Sequence, residues 1–570
     1  MTYNHFLSLV EGSTDTSLWS VTLGKIVQEQ AAKFGDNPAA IFPWQDVRLS
    51  FDQLSQRGRL VANALLQAGI RPSDPVGIMA GNRYEFLEVT IGAALIGCPV
   101  LVLNNTYKPW ELRNALQRTA CRCLFIAATV GSRSLVEHLE LLKSSSENTD
   151  QLNLDQIVIL GSFKPKSTAI PPAREYNAFL FLAGDCDQQQ PFENVNPSDV
   201  LSLQFTSGTT GEPKASMLTH INLLNNARFL GERLELTPED IVCCAPPLFH
   251  CFGLVMGFFS TLIHGATIVF PSDHFNVDLT LGSIVQEKCT TLLGVPTMFA
   301  AELQANDIKK YPMTTLRKGM TAGSPVPLAL MEKLRAQMGI QGMVIAYGMT
   351  ETSTITFCTS LHDAPDNRAG NVGQVMPHVR AKIVNLRGRT LGRGERGELC
   401  ISGYALQKGY LNNKVKTSEV MKTDEEGTVW MHTGDECIVD TSGCCHVTGR
   451  IKDIIIRGGE NIFPAEIENH LLAHPSIAEA SVVGVHDVRY GEVVGCFLKG
   501  VSGVRRPSTD EVRDWVKTQM GTVKTPQWVF WVGPDGVCLD FPKTGSGKYQ
   551  KHVLRNIANK YCAALIDAAV

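Results

Sequence analysis

The run Thr206-Ser207-Gly208-Thr209-Thr210-Gly211-Glu212-Pro213-Lys214 decides how this chain is expected to fold. It follows an apolar stretch at 200–205, which predicts a buried strand, and it precedes a helical pattern that begins at His220. Its two glycines permit tight turns, and its four hydroxyl side chains and exposed N–H groups can cradle an anion. Lys214 adds a positive charge beside that cradle. The pattern predicts an α/β fold with a phosphate-binding loop after a strand.

Other readings of the glycine-rich runs are less favoured. A plain turn rich in Gly, Ser and Thr is the alternative for 206–214, but the hydroxyl groups and lysine together argue against it. The loop is not a Walker A sequence, because Pro213 precedes its lysine. The run 545–548 also fails that pattern. Glycines 392, 394 and 397 have the spacing of a dinucleotide-binding motif, but that motif opens a helix and here a strand-like run follows. A loop between strands is therefore predicted.

The remaining sequence predicts two domains. Helical patterns at 54–68 and 84–96 alternate with strand-like runs at 76–79 and 100–104, which indicates stacked α/β sheets. After about residue 380, short strands and glycine turns predict a β-rich subdomain, and the end of the chain predicts a small α+β unit. We expect a large N-terminal domain at 1–451 and a mobile C-terminal domain at 452–570, with surface loops at 144–153 and 185–196.

Composition excludes several classes of protein. The 570 residues carry 52 basic and 56 acidic side chains, a net charge of −4, which does not suit a nucleic-acid partner. Cys121 and Cys123 lack the second pair of cysteines that a zinc site needs. Because no secretory signal is recognised, the 16 cysteines are expected to be reduced. The apolar stretches 89–103 and 254–270 are too short or interrupted for a membrane span. With no signal peptide or peroxisomal ending recognised, a cytoplasmic location is expected.

Seven motifs in order identify a resemblance to a known family. They are TSGTTGEPK at 206–214, TAGSP at 321–325, YGMTE at 347–351, HTGD at 432–435, GRIKD at 449–453, GGENIFPAEIE at 458–468 and PKTGSGK at 542–548. Together they resemble the adenylate-forming superfamily of acyl-CoA synthetases, adenylation domains of peptide synthetases and luciferases. The chain is most similar to medium-chain acyl-CoA synthetases and to acyl-CoA ligases of fungal secondary metabolism. One departure is Ala215, where the family usually has glycine.

The resemblance implies a set of nucleotide contacts. Glu351 is similar to the residue that binds Mg²⁺ on the β- and γ-phosphates, and Asp435 to the acceptor of both ribose hydroxyls. Thr350 is expected at the α-phosphate. The full set implied for ATP and AMP is Thr206, Ser207, Gly208, Thr209, Thr210, Gly211, Lys214, Gly323, Ser324, Pro325, Tyr347, Gly348, Thr350, Asp435 and Arg450.

The resemblance also implies the catalytic residues and a moving domain. Lys548 would offset the repulsion between an attacking carboxylate and the α-phosphate, and the catalytic set would include Thr350, Glu351 and His250. Lys452 occupies the hinge position. The loop Gly458, Gly459, Glu460 and Asn461 would reach the CoA channel after rotation of the domain. The acyl pocket would include His250, Val295, Gly323 and Met349, although His250 is alternatively a structural histidine.

The implied function is ATP-dependent ligation of a carboxylic acid to coenzyme A, with ATP, Mg²⁺ and CoA required. A medium-chain fatty acid or a related acid is the expected substrate. Two alternatives remain within the enzyme class: an aryl-CoA ligase, and a stand-alone adenylation enzyme that loads a separate carrier protein. A third alternative is a non-catalytic binding protein, but the presence of Lys548, Glu351 and Asp435 argues against it.

Overall fold

The computed structural model describes residues 6–144, 152–161, 173–184, 195–206, 213–305, 308–323, 326, 328–363, 370–544 and 548–567. Two large sheets with parallel centres form the body of the molecule. The seven-stranded sheet runs, in spatial order, Ala173–Glu175, Gln156–Leu160, Cys123–Ala127, Val76–Met79, Val100–Val102, Val200–Thr206 and Lys214–Thr219. The nine-stranded sheet runs Gln374–Val375, Phe357–Cys358, Gly342–Tyr347, Lys318–Ala322, Thr291–Gly294, Ile241–Cys244, Thr267–Val269, Pro38–Phe42 and Val47–Ser50.

Helices cover these sheets and complete the predicted α/β body. Their bounds are Leu23–Phe34, Phe51–Gln67, Tyr84–Leu95, Pro109–Thr119, Val136–Ser144, Tyr176–Leu180, His220–Arg233, Ser260–His264, Val277–Gln286, Pro296–Leu303, Leu328–Met338 and Lys414–Val420, with a π-helix at Phe252–Phe259. The helix Phe51–Gln67 begins at a capping box, in which Ser50 and Gln53 bond each other's backbone N–H. It packs closely on Tyr84–Leu95, since a Cβ at Gly58 would lie 2.4 Å from Ile91.

An antiparallel sheet forms the predicted β-rich subdomain. Its main path runs Val10–Glu11, Val379–Val384, Gly397–Gly403, Val429–Val439 and Met421–Thr423, and Cys445–Arg450 pairs with the fourth of these strands. The glycines 392, 394 and 397 lie between or at the start of strands, so the predicted loop is confirmed. Side chains from this sheet join the apolar core of the α/β body, so the subdomain is packed against that body.

The C-terminal α+β domain has its own cores on the two faces of a five-stranded sheet. The strands are, in order, Glu460–Ile462, Ile455–Arg457, Gly491–Gly500 and Ile477–Asp487, and Trp528–Trp531 pairs with Gly491–Gly500. The helices are Pro464–Leu472, Thr509–Met520 and Lys551–Asp567. A short turn, Ile451–Asp453, connects this domain to the subdomain before it.

Two local differences from the sequence predictions concern strands of the seven-stranded sheet. The strand predicted at 100–104 ends at Val102, because Asn104 turns the chain by accepting a hydrogen bond from Thr106 N at 2.9 Å. The anion-cradle lysine, Lys214, begins a strand that the sequence did not predict. Its neighbour Ala215 lies in extended backbone opposite Phe205, so the strand does not require glycine there. Most of the predicted loops at 144–153 and 185–196 lies outside the described residues.

Among the residues that the structure describes, no helix is long and apolar enough to cross a membrane. The two apolar stretches, 89–103 and 254–270, instead form short helices and strands. The segment 254–270 holds most of the π-helix, the helix Ser260–His264, a left-handed Gly265 and the strand Thr267–Val269. Cys123 is the first residue of the strand Cys123–Ala127 in the seven-stranded sheet, and Cys121 lies two residues before it. Both cysteines are buried.

Glu302 is a carboxyl group that the sequence did not single out. It lies on the helix Pro296–Leu303 and is 1% exposed, and neither of its carboxyl oxygens has a hydrogen-bond partner. Burial raises the pKa of Glu302 to about 8 from its ordinary 4.5. Between those two values the folded protein therefore holds a proton that the unfolded chain releases, and the free energy of unfolding falls as pH rises.

Replacing Glu302 by Gln is expected to remove this pH dependence. The substitution should raise the free energy of unfolding by roughly 1–3 kcal/mol at pH 8 and much less at pH 5, because the unfolded chain releases the Glu302 proton above pH 4.5 and glutamine has no such proton. Thermal unfolding of both proteins across pH 5–8 measures the difference. Glu332→Gln, on the exposed face of the neighbouring helix, is the matched control. A Glu302→Gln effect that is equal at pH 5 and pH 8 would contradict the assignment.

Candidate functional site

A hairpin of the β-rich subdomain forms one wall of the candidate site. Its strands pair so that Asp435 lies opposite Arg450. Arg450 Nε is 2.7 Å from Asp435 Oδ1, and Tyr347 donates its hydroxyl to Asp435 Oδ2 at 2.5 Å. Burial of Tyr347 raises the pKa of its hydroxyl group, and the negative charge of Asp435 raises it further. Asp435 is itself buried. The carboxylate is therefore held in one orientation, as an acceptor for paired hydroxyl groups must be.

Glu398 fixes the turn that leads into Asp435. It accepts a hydrogen bond from Gly434 N at 3.1 Å, and its other oxygen lies 2.7 Å from His432 Nδ1. Glu398, Cys400 and His432 also place potential metal-ligand atoms within 4.8 Å of one another. Because these atoms already satisfy each other, and burial raises the pKa of the Cys400 thiol to about 12, the group is best described as a hydrogen-bonded support.

The YGMTE motif forms a strained turn at the carboxyl end of the strand Gly342–Tyr347. After it, Ser353 and Thr354 have φ values of 56° and 124°, which are unfavourable for residues with a Cβ. Asn226 holds the turn by bonding both backbone groups of Ile355, at 3.0 and 2.7 Å. Strain of this kind persists only where the surroundings impose it, and it is typical of functional sites.

Tyr410 links Glu351 to Lys214. Its hydroxyl donates to Glu351 Oε1 at 3.0 Å, and Lys214 Nζ lies 5.1 Å from the centre of its ring. Glu351 is buried, and the hydrogen bond from Tyr410 orients its carboxylate. Tyr410 thus has a carboxylate at its hydroxyl group and an ammonium group over its ring, and Lys214 lies where it pairs with Thr206 of the neighbouring strand.

Lys548 enters this cleft from the C-terminal domain. A Cβ built on Gly323 would lie 3.3 Å from Lys548 Cε and 3.8 Å from Val295 Cγ1, and Gly323 has a φ of +92°. Lys548 is exposed as a residue, but protein packed around its ammonium group, and then the charge of Arg450, lower the pKa of that group. Cys251, Asp435 and Glu351 act in the opposite direction on that pKa. Together with Lys214, the site therefore holds three cationic groups and two carboxylates, and an anionic ligand would neutralise the surplus of positive charge.

His250 is neutral at physiological pH. Burial, and then the charge of Lys548, lowers the pKa of its ring to about 3, and Phe252 N donates to its Nδ1 at 3.1 Å. The segment before it is held by Asn82, which donates to Pro246 O at 3.2 Å and accepts from Leu248 N at 2.7 Å. His250 therefore acts as a fixed polar wall beside Lys548, and not as a charge.

The structure brings most of the predicted site residues together. Tyr347, Glu351, Asp435, Arg450 and Lys548 form the cleft, and Gly348 supports it, since a Cβ there would lie 1.7 Å from Thr354 O. Cys251 lies between Thr350 and His250, with its Sγ 3.8 Å from Thr350 Oγ1 and 3.8 Å from His250 Nδ1. Met349 precedes the turn Thr350–Thr352, and Thr206 pairs with Lys214. Ser207, Gly208, Thr209, Thr210, Gly211, Ser324 and Pro325 lie outside the described residues.

Other predicted residues lie away from this cleft. Gly458, Gly459, Glu460 and Asn461 form an exposed turn on the C-terminal sheet, where Gly458 N donates to Tyr490 O at 2.8 Å. Lys452 lies in the turn Ile451–Asp453 between the two domains. Sequence reasoning missed Tyr410 and Asn82. Their only local signals are a tyrosine after Gly409 and a polar pair after a strand, which are too common to be informative.

The fold and this cleft define an adenylate-forming enzyme with a separate C-terminal domain. The family model described as "AMP-binding enzyme" matches residues 27–411, and the model for its C-terminal domain matches 466–548. The chain belongs to the AMP-binding enzyme family.

The relatives specify the reaction. The acyl-CoA ligase sidI of Aspergillus fumigatus is 46% identical over 97% of this chain and 93% of that protein. The mitochondrial medium-chain acyl-CoA ligase ACSF2 of Mus musculus is 34% identical over 96% of this chain and 89% of that protein. The crystal structure of the anthranilate CoA ligase AuaEII with anthranoyl-AMP superposes with a TM-score of 0.83, at 25% identity over 97% and 99% of the two chains. The expected fold class and ATP-dependent acid:CoA ligase activity are confirmed.

Replacing Gly323 by Ala is expected to slow ligation by about tenfold or more. The methyl group would be strained at a φ of +92° and would press against Lys548 Cε. The assay is the steady-state release of AMP with a competent acid and CoA. Gly69→Ala is the matched control, because its φ is +88° but nothing lies within 4 Å of the added Cβ. Equal rates in Gly323→Ala and Gly69→Ala would contradict the expected contact with Lys548.

Proposed function

We propose that this acyl-CoA ligase activates a medium-chain fatty acid, or a related acid, through an acyl-adenylate formed at Lys548. The observation that carries the proposal is the position of the Lys548 side chain beside Gly323, with Arg450, Asp435 and Glu351 near enough to affect its pKa. The carboxylate oxygen of the acid attacks the α-phosphorus of ATP, and pyrophosphate leaves. The Lys548 ammonium group reduces the repulsion between these two anions and stabilises the charge that develops between them.

The other residues would bind and orient the nucleotide. Asp435 would accept both ribose hydroxyls, with Arg450 and Tyr347 holding its carboxylate. Lys214 and the loop 206–211 would hold the β- and γ-phosphates, and Thr350 the α-phosphate. Gly323, Ser324 and Pro325 would lie along the adenine ring. The Asp435 carboxylate is held by an ion pair and a hydrogen bond before the nucleotide arrives, which lowers the cost of ordering the site.

Glu351 would be the protein ligand of Mg²⁺. Its carboxylate suits a hard cation, and Tyr410 occupies only its Oε1, at 3.0 Å. When bound, Mg²⁺ supplies positive charge to the β- and γ-phosphates of ATP.

The second half-reaction would use a different orientation of the C-terminal domain. We propose that the domain boundary lies at Lys452, in the turn Ile451–Asp453, and that the backbone rotates there. Rotation would withdraw Lys548 and bring the turn Gly458–Asn461 to the channel for the thiol. The CoA sulfur then attacks the acyl carbonyl carbon, and AMP leaves.

The acid class is inferred from relatives and from the pocket wall. The ligases sidI and ACSF2 are named as acyl-CoA and medium-chain acyl-CoA ligases, and His250, Val295, Gly323 and Met349 are proposed to line the pocket here. The neutral His250 and the buried Val295 favour an uncharged acyl group. An aryl acid is the second candidate, supported by the similarity to the anthranilate CoA ligase AuaEII. A separate carrier protein as acceptor is a further alternative, which assays without CoA test. A cytoplasmic location is proposed, although ACSF2 is described as mitochondrial.

Replacing Tyr410 by Phe is expected to raise the Mg²⁺ concentration for half-maximal activity by about tenfold. The change removes the donor that orients Glu351, and lost support of a metal ligand commonly costs 10–100-fold in affinity. Mg²⁺ titrations of AMP release at saturating ATP measure the effect. Tyr311→Phe, which removes a hydroxyl that donates to Asp278, is the control. An unchanged Mg²⁺ requirement would contradict the role given to Tyr410.

The test of the proposed function is a substrate panel assayed with and without CoA. Acids from C4 to C16, benzoates and hydroxy acids are incubated with Mg²⁺-ATP, and pyrophosphate and AMP are measured. CoA-dependent turnover with medium-chain acids, reduced about 10²–10³-fold by Lys548→Ala, is expected. Lys551→Ala, three residues along, is the control. Adenylate without CoA turnover would indicate a carrier protein as acceptor. Full activity of Lys548→Ala would contradict the assignment of that lysine.

A further inference from the structure

The side chain of Arg396 reaches from the β-rich subdomain to the C-terminal domain. Its Nη2 lies 2.9 Å from Glu466 Oε1, and its guanidinium carbon lies 4.8 Å from the centre of the Phe463 ring. Lys524, in the C-terminal domain, pairs with the other oxygen of the same carboxylate. Arg396 therefore makes an ion pair and a cation–π contact with a domain to which it does not belong.

The position of this contact couples it to Lys548. Phe463 and Glu466 flank the start of the helix Pro464–Leu472, which packs against the core of the C-terminal sheet through Ile467 and Leu471. Because this domain has its own packed core, its orientation is set at contacts of this kind and at the connecting turn. In the orientation in which Arg396 meets Glu466, Lys548 also lies beside Gly323.

The strength of the contact suits a reversible interaction. The Arg396 and Glu466 side chains are 42% and 25% exposed, and ion pairs of this exposure shift an equilibrium by only about two- to fivefold. The contact with the buried Phe463 ring adds a similar factor of about two- to fivefold. Burial alone would raise the pKa of Glu466, but Lys524 and Arg396 outweigh it and keep the carboxylate charged. The contact is thus strong enough to bias the orientation and weak enough to break in each cycle.

We infer that Arg396 is a positioning residue that holds the C-terminal domain in the orientation that places Lys548 in the cleft, and that its contact with Glu466 and Phe463 breaks for the thiol step. The inference rests on the proposed function, because it assigns the contact to one of two half-reactions. A residue that merely stabilised the fold would affect both half-reactions alike. Arg396 should instead favour adenylation over thioester formation.

The experiment measures the two half-reactions separately in Arg396→Ala. Adenylation is followed as acid-dependent exchange of pyrophosphate into ATP, and thioester formation as CoA-dependent consumption of chemically prepared acyl-AMP. The adenylation rate is expected to fall about three- to tenfold, while the thioester rate stays the same or rises. A fall that is equal in both half-reactions, or no change in either, would overturn the inference. An absence of exchange in the wild-type protein with every acid would instead contradict the proposed function.

A control and a double substitution make the test specific. Arg380 makes the same kinds of contact inside the N-terminal domain, with its Nε 2.7 Å from Glu11 Oε1 and its guanidinium carbon 5.4 Å from the Trp430 ring. Arg380→Ala should change neither the ratio of the two rates nor the adenylation rate. Arg396→Ala should have less effect in a Glu466→Ala background than alone, because the pair is already broken. Full additivity of the two substitutions would overturn the assigned pairing.

Discussion

The structure depends on bringing an ammonium group into a cleft that already holds a guanidinium group. Desolvation by the surrounding protein is the largest cause of the lowered pKa of Lys548, and repulsion by Arg450 adds to it. Asp435 and Glu351 offset part of the repulsion, but each is also held by a tyrosine hydroxyl in a fixed orientation. With Lys214, the site holds three cationic side chains and two carboxylates, and both a carboxylic acid and ATP are anions. The cleft is therefore arranged for charges that arrive with the substrates.

This constraint explains the division into two domains. A lysine fixed permanently in the cleft would also be present during attack by the thiol, where the leaving group and geometry differ. Supplying Lys548 from a domain with its own cores allows the group to be withdrawn without unfolding anything. The weak, partly exposed contact between Arg396 and Glu466 fits this requirement, since a deeply buried pair would hold one orientation too firmly.

Much of the fold and of the site could be predicted from sequence, because the relevant signals are local. Strand Val76–Met79 and helix Tyr84–Leu95 follow directly from apolar patterns, and the cleft residues lie in contiguous motifs. Tyr410, Asn82 and Arg396 were not predictable, because their hydrogen bonds and ion pair reach residues that lie between 59 and 166 positions away in the sequence. The strand Lys214–Thr219 was missed because it forms by antiparallel pairing with Val200–Thr206, and not from a sequence pattern of its own. The burial of Glu302 was not predictable either, because its carboxyl oxygens have no hydrogen-bond partner that a sequence pattern could indicate.

The central claim is that Lys548 lies in an anion-binding cleft whose cations repel one another until the substrates bind. The most direct measurement is the pH dependence of amine labelling at Lys548, quantified by mass spectrometry with and without a bound non-reactive acyl-adenylate analogue. The account predicts that Lys548 titrates below the exposed lysines in the free protein and that its pKa rises when the anionic analogue binds. A Lys548 pKa equal to that of exposed lysines, and unchanged by the analogue, would contradict it.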